Sequence, residues 1–366
     1  MLKAIGLMSG TSLDGVDVAL IETNGERVAA FGPTSYRAYS DAERKLLRQA
    51  LADAKPMIAR DSRTSVLAEA EALVTRAHAE AVLQFIQEHG LRRDEMGVVG
   101  FHGQTVLHRP EDRLTVQIGD GRGLANSIAM PVVFDMRAAD VAAGGQGAPL
   151  VPIYHRALVE QVRLQEPTVV VNIGGVANIT YIDGDTLIAC DTGPGNALLD
   201  DLMLRATGAA MDRDGLKAAG GKQQSDWLAR ALNHPFFREP PPKSLDRNAF
   251  AALSVDGMSV EDGAATLTAL TAKSIAAISL LLPQAPGNWI VVGGGARNPT
   301  LLRMLANEIA PATVMRGEDL GWTSDAIEAQ AFAYLAVRSL NGLPLTFPGT
   351  TGAPSAMTGG VLVRPD

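Results

Sequence analysis

The chain has 366 residues, 46% of them hydrophobic and 20% charged, which is long enough for two sizeable cores and too apolar for a disordered or low-complexity protein. Its formal net charge of −8 argues against nucleic acid or an anionic membrane as a standing partner, since either favours a basic face. No apolar run is expected to span a bilayer, no basic segment precedes a long apolar core at the start, and the single Cys190 fits a reducing compartment, so a cytoplasmic protein is expected.

The first predicted element is a hairpin. Residues 4–7 and 16–21 read as two strands joined by Met8-Ser9-Gly10-Thr11-Ser12-Leu13-Asp14-Gly15. Glycines let backbone N–H groups approach an anion, the hydroxyls add donors, and Asp14 can hold a cation or its water shell beside that anion. The same residue types make an ordinary tight turn, so the tip alone leaves both readings open.

Ser40-Asp41-Ala42-Glu43 has the form of a capping box and predicts a helix from Asp41. A longer helix carries Val66, Leu67, Ala70, Leu73, Val74, Ala77, Ala81, Phe85 and Ile86 on helical spacing, with Gly90 as its stop. Residues 97–101 read as a short buried strand, and the polar run His102-Gly103-Gln104-Thr105 falls at its C-terminal end, where ligands sit in open α/β sheets. A lone histidine is more often a structural hydrogen-bonding residue than a catalytic one. Strands at 114–118 and 132–134 follow, and Asp120-Gly121-Arg122-Gly123 between them reads best as a helix start.

From Asp135 to Pro149 the apolar periodicity stops while two acids, an arginine and three glycines accumulate. A lobe boundary is placed here, with the loop expected to face a cleft. Arg137 suits either a substrate carboxylate, through bidentate pairing, or Asp140 as a structural partner.

Strand, Gly174-Gly175, strand then repeats the opening pattern over residues 168–182 and suggests two related lobes. Gly10 and Gly174 lie about one domain's length apart. Two such tips on a common cleft would grip a polyphosphate from two sides, as phosphoryl transfer requires. For Gly174, Gly175 and Asn178 the alternative is a type I′ or II′ turn. A strand at 186–189 leads into Cys190-Asp191-Thr192-Gly193-Pro194-Gly195-Asn196 and a helix from Ala197. Asp191 is the strongest candidate for chemistry, a carboxylate at a strand end beside helix-terminal donors, the alternative being a helix cap. Cys190 lacks an activating neighbour and reads as a buried strand residue. A long apolar helix is expected at 267–282. A strand at 289–292 runs into Gly293-Gly294-Gly295-Ala296-Arg297-Asn298 and a helix at 301–309. That glycine run suits a nucleotide, or close packing of helix on strand. The last helix, 324–340, bears Asp325, Glu328 and Gln330; Glu328 is either solvated or on a partly buried face. Strand and helix signals alternate throughout, so the class is α/β. Neither a Walker loop nor a full Rossmann fingerprint is present, which disfavours a P-loop NTPase or a dehydrogenase.

The hairpin, the Asp-Thr-Gly-Pro-Gly-Asn run and the late triple glycine appear in the order used by acetate and sugar kinases, Hsp70 chaperones and actin. More closely, Leu7-Met-Ser-Gly-Thr-Ser-Leu-Asp-Gly-Val-Asp17, Gly100-Phe-His-Gly-Gln-Thr105, Asn172-Ile-Gly-Gly-Val-Ala-Asn-Ile179, Asp191-Thr-Gly-Pro-Gly-Asn196, Gly293-Gly-Gly-Ala-Arg-Asn298 and Ser324-Asp-Ala-Ile-Glu-Ala-Gln330 resemble the anhydro-N-acetylmuramic acid kinase family over essentially the whole chain.

The resemblance implies a two-lobed actin-like ATPase/sugar kinase fold, with a duplicated β-sheet core, flanking helices and a central nucleotide cleft. Residues 1–134 with 325–366 would form the N-terminal lobe and 135–324 the second, and closure of the lobes about a hinge is expected to exclude bulk water. The implied enzyme uses ATP and Mg²⁺ in peptidoglycan recycling, turning 1,6-anhydro-N-acetylmuramic acid and water into N-acetylmuramic acid 6-phosphate. Asp191 would be the base. Gly10, Thr11, Ser12, Leu13, Asp14, Gly15, Val16, Asp17, Gly174, Gly175, Gly293, Gly294, Gly295 and Asn298 would hold ATP, with Asp14 meeting Mg²⁺ through water. His102, Gln104, Arg137, Asn178, Asn196 and Glu328 would form the sugar side. The partners are small molecules rather than nucleic acid or membrane, and a homodimer is compatible with the sequence. Another sugar or acyl kinase, an assembly ATPase of the actin or chaperone type, and a plain glycosidase are the competing readings.

Overall fold

The computed structural model describes residues 1–164, 167–245, 249–250 and 252–366. In chain order the strands are β1 (Leu2–Met8), β2 (Gly15–Thr23), β3 (Val28–Ala38), β4 (Met96–Phe101), β5 (Gln104–Arg109), β6 (Leu114–Ile118), β7 (Val132–Phe134), β8 (Thr168–Ile173), β9 (Val176–Asp183), β10 (Thr186–Pro194), β11 (Asn288–Val292), β12 (Thr313–Arg316) and β13 (Val361–Val363). The longer helices are α1 (Asp41–Ala54), α2 (Ser65–Glu88), α3 (Gly121–Ile128), α4 (Ala138–Ala143), α5 (Pro152–Val162), α6 (Ala197–Thr207), α7 (Leu216–Gly220), α8 (Ser225–Leu232), α9 (Val260–Ala277), α10 (Pro299–Ile309) and α11 (Ile327–Leu340). They form two compact units, Met1–Gln161 with Asp325–Asp366, and Val162–Ser324.

The sheet of the first unit has the order β13-β7-β4-β1-β2-β3, and that of the second β10-β9-β8-β11-β12. In the first, β1-β2-β3 is an antiparallel meander and β1, β4 and β7 run parallel. In the second, β8-β9-β10 is the meander and β8, β11 and β12 run parallel. Apart from β13, the two sheets therefore share one strand order and one set of directions. The duplication is topological, and each glycine tip joins the first two strands of its own sheet.

Local chemistry accounts for the elements. The capping box forms, with Glu43 N–H donating to Ser40 Oγ (3.3 Å) and Ser40 N–H to Glu43 Oε2 (2.7 Å). Asp120 caps α3 by accepting from Arg122 N–H, so that stretch is a helix start. β1 and β4 are continuous apolar runs because α11 packs against them so closely that a Cβ on Gly6 or Gly100 would strike the Ala329 or Phe332 carbonyl oxygen. β3 escaped prediction because it is a largely exposed edge, with Phe31 and Tyr36 both facing solvent.

Three expectations change. The stretch 135–149 contains α4 and belongs to the first unit, whose chain runs on to Gln161, past the boundary placed at 134. Buried Asp140 holds it there, accepting from Gly147 N–H (2.6 Å) and from the Thr351 (2.7 Å) and Thr346 hydroxyls. The strand before Asp191 does not stop at Ala189 but continues as β10 to Pro194. The apolar stretch Val260–Leu281 is, by length and composition, able to cross a membrane. Its flanks are mostly buried in the second unit, as for a core helix that is apolar all round.

Candidate functional site

In the first tip Leu13 and Val16 point into the core, so only their backbones can face a ligand. Leu13 takes a left-handed backbone (φ 57°) and donates its N–H to the Gly10 carbonyl at 3.3 Å. Exposed Asp14 accepts from Ser12 Oγ at 2.8 Å. A Cβ on Gly15 would strike the Arg37 carbonyl oxygen, whereas one on Gly10 would come no nearer to another atom than 3.6 Å. Packing explains Gly15 and leaves Gly10 unexplained.

Gln104, expected at the sugar, is buried and has both ends of its amide engaged. Oε1 accepts from Ser9 Oγ (2.7 Å) and Nε2 donates to the Gly10 carbonyl (3.2 Å). It braces the tip. Ser9 Oγ also lies 3.1 Å from Tyr39 Oη. The sequence named Ser9 only as part of the tip and did not single out Tyr39, because a buried contact between residues so far apart in the chain leaves no local pattern.

Behind the tip, Asp17 on β2 has its carboxyl pushed up to about 6 by burial, reinforced by Asp14, Glu328 and Asp325. Glu328, in the first turn of α11, stays solvent-accessible on one side while protein crowds the rest of it. This partial desolvation raises its pKa, and the Arg137 charge opposes the rise. Among the described residues no three His, Cys, Asp or Glu side chains are grouped to ligate a metal directly.

At the end of β4, His102 Nδ1 lies 2.8 Å from the Gly103 carbonyl, which can only accept, so Nδ1 carries the proton. Nε2 then offers its lone pair to Arg137 Nη2 at 3.3 Å. Burial, with the Arg137 charge, pushes this imidazole down to about 3, and it is neutral at pH 7. Arg137 Nη1 donates to the Gly147 carbonyl at 2.8 Å. Arg137 is not the partner of Asp140, whose oxygens are occupied by Gly147, Thr346 and Thr351.

In the second tip neither Gly174 nor Gly175 has a left-handed backbone, which rules out a type I′ or II′ turn. The Asp-Thr-Gly-Pro-Gly-Asn run wraps it instead. Asn196 N–H donates to the Gly174 carbonyl (2.8 Å), Gly195 N–H to that of Gly175 (3.0 Å), and Asn196 Nδ2 to that of Ile173 (3.4 Å). A Cβ on Gly195 would strike the Gly174 carbonyl oxygen, but one on Gly174 would find no other atom within 3.7 Å.

Asp191 lies inside β10 at a register shift, five residues before Asn196 at the N-terminal boundary of α6, so it is not a helix cap. It pairs across β9 with Asn178, which in turn pairs with Asn172 on β8. Asp191 Oδ2 accepts from Leu245 N–H at 2.6 Å, and its own N–H donates to the Lys243 carbonyl at 2.9 Å. Burial pushes its carboxyl up to about 6, with the Leu245 hydrogen bond and the Lys243 charge pulling down. Lys243 Nζ donates to the Phe236 carbonyl (2.7 Å) and stands 4.4 Å from the Phe236 ring centroid. Lys243 and Leu245 went unseen in the sequence, since they lie far along the chain in a segment without periodicity. Burial pushes the Cys190 thiol up to about 12, so it is no nucleophile at neutral pH.

After β11, Gly293 (φ 77°) and Gly295 are required by packing. A Cβ on the first would strike Asn172 Oδ1, and one on the second would stand 2.5 Å from Ile173 Cβ. Gly294 is open, with nothing nearer than 3.8 Å. Asn298, expected at ATP, is buried and caps α10, its Oδ1 accepting from Leu301 N–H at 3.0 Å.

A family model described as anhydro-N-acetylmuramic acid kinase matches residues 2–365. The chain belongs to that family. Relatives named anhydro-N-acetylmuramic acid kinase from Nitrobacter winogradskyi, Rhodopseudomonas palustris and Bradyrhizobium diazoefficiens are 64%, 63% and 63% identical to it, each aligned over 100% of both chains. Full-length membership in a kinase family matches the architecture, in which both sheets carry a glycine tip at the same topological position.

Proposed function

We infer that this chain uses ATP and water to open 1,6-anhydro-N-acetylmuramic acid and phosphorylate O6, giving N-acetylmuramic acid 6-phosphate and ADP in the cytoplasm. Support comes above all from Gly10, Gly174 and Gly294: each lies within two residues of the end of a core strand, and internal packing gives no reason for a missing side chain there. A phosphate needs such open backbone.

Hydrolysis of a sugar acetal ordinarily uses one carboxylate to activate water and a second acid to protonate the leaving oxygen. Here O6 leaves to the γ-phosphoryl group, so a single base suffices. Leu245 N–H fixes Asp191 Oδ2, and Oδ1, which accepts no hydrogen bond among the described residues, takes the proton of the water attacking C1. The C1–O6 bond breaks as C1–OH forms. With its carboxyl near 6, Asp191 is ionised at neutral pH and basic enough for the transfer. Asn178, opposite it, orients the water or the sugar.

Mg²⁺ bound with ATP neutralises phosphate charge. The residues fit a cation held mainly by phosphate oxygens and its own water, because Asp14 and Asp17 form an acidic pair but no protein cage exists among the described residues. Gln104 and Ser9 keep the first tip in shape.

The test is a product assay with ATP, Mg²⁺, 1,6-anhydro-N-acetylmuramic acid and oxygen-18 water, read by mass spectrometry. A 6-phosphorylated sugar labelled at C1 is expected. An unphosphorylated sugar would mark a glycosidase, and ATP hydrolysis independent of sugar an assembly ATPase.

A further inference from the structure

The Gly10 carbonyl is held from behind by a series of hydrogen bonds that begins at Tyr39, just past the end of β3. That carbonyl can only accept, so Gln104 turns its amide nitrogen to Gly10 (3.2 Å) and its amide oxygen to Ser9. Ser9 gives its one hydroxyl proton to Gln104 Oε1 (2.7 Å) and therefore accepts from Tyr39 Oη at 3.1 Å. Burial pushes the Tyr39 hydroxyl up to about 12, so it stays a donor. Every donor thus points the same way, from Tyr39 through Ser9 and Gln104 to Gly10, the arrangement in which successive hydrogen bonds strengthen one another.

Tyr39 is itself firmly held. It is 2% exposed, and its own N–H donates to the Asp14 carbonyl at 2.8 Å, so this one residue grips the tip at Ser9 and at Asp14. It directly precedes Ser40, whose capping box starts α1. Arg37 stands 5.9 Å from its ring centroid and pairs with Glu43 on α1 (2.9 Å) and Glu80 on α2 (2.7 Å). The helices fix the tyrosine, and the tyrosine fixes the tip.

The Gly10–Thr11 peptide is trans, and a trans peptide points its C=O and N–H in opposite directions. Tying the Gly10 carbonyl to buried Gln104 therefore turns the Thr11 N–H to the exposed side of the tip, where it donates to no group among the described residues. The second tip reaches the same state by another route. Asn196 N–H holds the Gly174 carbonyl at 2.8 Å, and the N–H of exposed Gly175 is likewise left without a partner among the described residues. In both hairpins the carbonyl tied back belongs to a glycine that packing does not require. Outward N–H groups of this kind suit an anion.

Resting on the functional reading above, we propose that Tyr39 is a positioning residue for ATP: through Ser9 and Gln104 it sets the Gly10–Thr11 peptide so that the Thr11 N–H meets a phosphate oxygen.

The experiment measures calorimetric binding of MgATP, and of adenosine by competition against it, to wild type, Tyr39→Phe, Ser9→Ala and the double variant. Tyr39→Phe keeps the buried ring and removes only the first donor. It should weaken ATP roughly 3- to 10-fold, the worth of one net hydrogen bond, with adenosine binding unchanged. A tyrosine that merely supports the fold would weaken both ligands alike or neither. Ser9→Ala breaks the series in its middle and should weaken ATP at least as much. Adding Tyr39→Phe to it should lose nothing further, because the two act through one series of bonds. The proposal is overturned by unchanged ATP binding in Tyr39→Phe, by an equal loss of adenosine, or by additive losses in the double variant. Sugar enters none of these measurements. Selective loss of ATP in a protein that forms no sugar phosphate would defeat the functional reading and leave this assignment standing, whereas sugar phosphate from wild type with ATP binding unaffected in Tyr39→Phe would do the reverse.

Discussion

Asp191 on β10 stands directly opposite Asn178 on β9, and Asn178 directly opposite Asn172 on β8. Residues paired in register share one face of a sheet, so the second sheet sets a carboxylate and two amides in a row. With Asp191 as the base, Asp191→Asn should lower kcat by about 10²- to 10⁴-fold while leaving calorimetric ATP binding intact. Full turnover by this variant would remove Asp191 from the chemistry.

Burial places the Asp191 carboxyl near 6, and a base works only when deprotonated. The rate should therefore be level above about pH 7 and fall about tenfold per unit below pH 6. The Lys243 charge holds this value down, so Lys243→Met should move the acid limb to higher pH. An unmoved limb would show that another group controls it.

Asp17 makes a prediction about stability. Its carboxyl ionises near 6 when folded, against 3.8 as the ordinary value, so the folded state favours the protonated form. Between about pH 4 and 6 the native protein binds the extra proton, and stability from this group falls as pH rises through that window, then stays low above it. Asp17→Asn should stabilise by roughly 1 kcal/mol at pH 7.5, after discounting for partial solvent screening. That gain should vanish near pH 4. Urea unfolding at the two pH values measures both.

The glycines divide by what surrounds them. Gly100→Ala would drive a methyl into the Phe332 carbonyl and should destabilise by about 2–4 kcal/mol, seen as a lowered melting midpoint. Gly174→Ala meets nothing inside the protein; it should leave melting nearly unchanged and raise KM for ATP about tenfold or more, by displacing bound phosphate. Similar melting losses in both would argue against phosphate at the second tip.

Much of this was legible in the chain itself. Ser40 and Glu43 marked the start of α1, Gly90 the end of α2, and the two strand–glycine–strand patterns marked equivalent hairpins, because caps, tips and apolar periodicity are interactions between residues a few positions apart. Exposed β3 and the extension of β10 past Asp191 were not legible. A strand's length there depends on the neighbour it pairs with, and no local pattern records that neighbour.

By itself, then, the sequence determined the α/β class and the duplicated hairpins and put Asp191 forward as a candidate, all through short-range patterning. Only the tertiary structure decided that Gln104 braces the first tip, that Asn298 caps a helix, that residues 135–149 belong with the first sheet, and that Asp191 depends on Lys243 and Leu245. Those roles depend on which distant groups meet a side chain and on how much water is left around it. Both are set by packing between segments far apart in the chain.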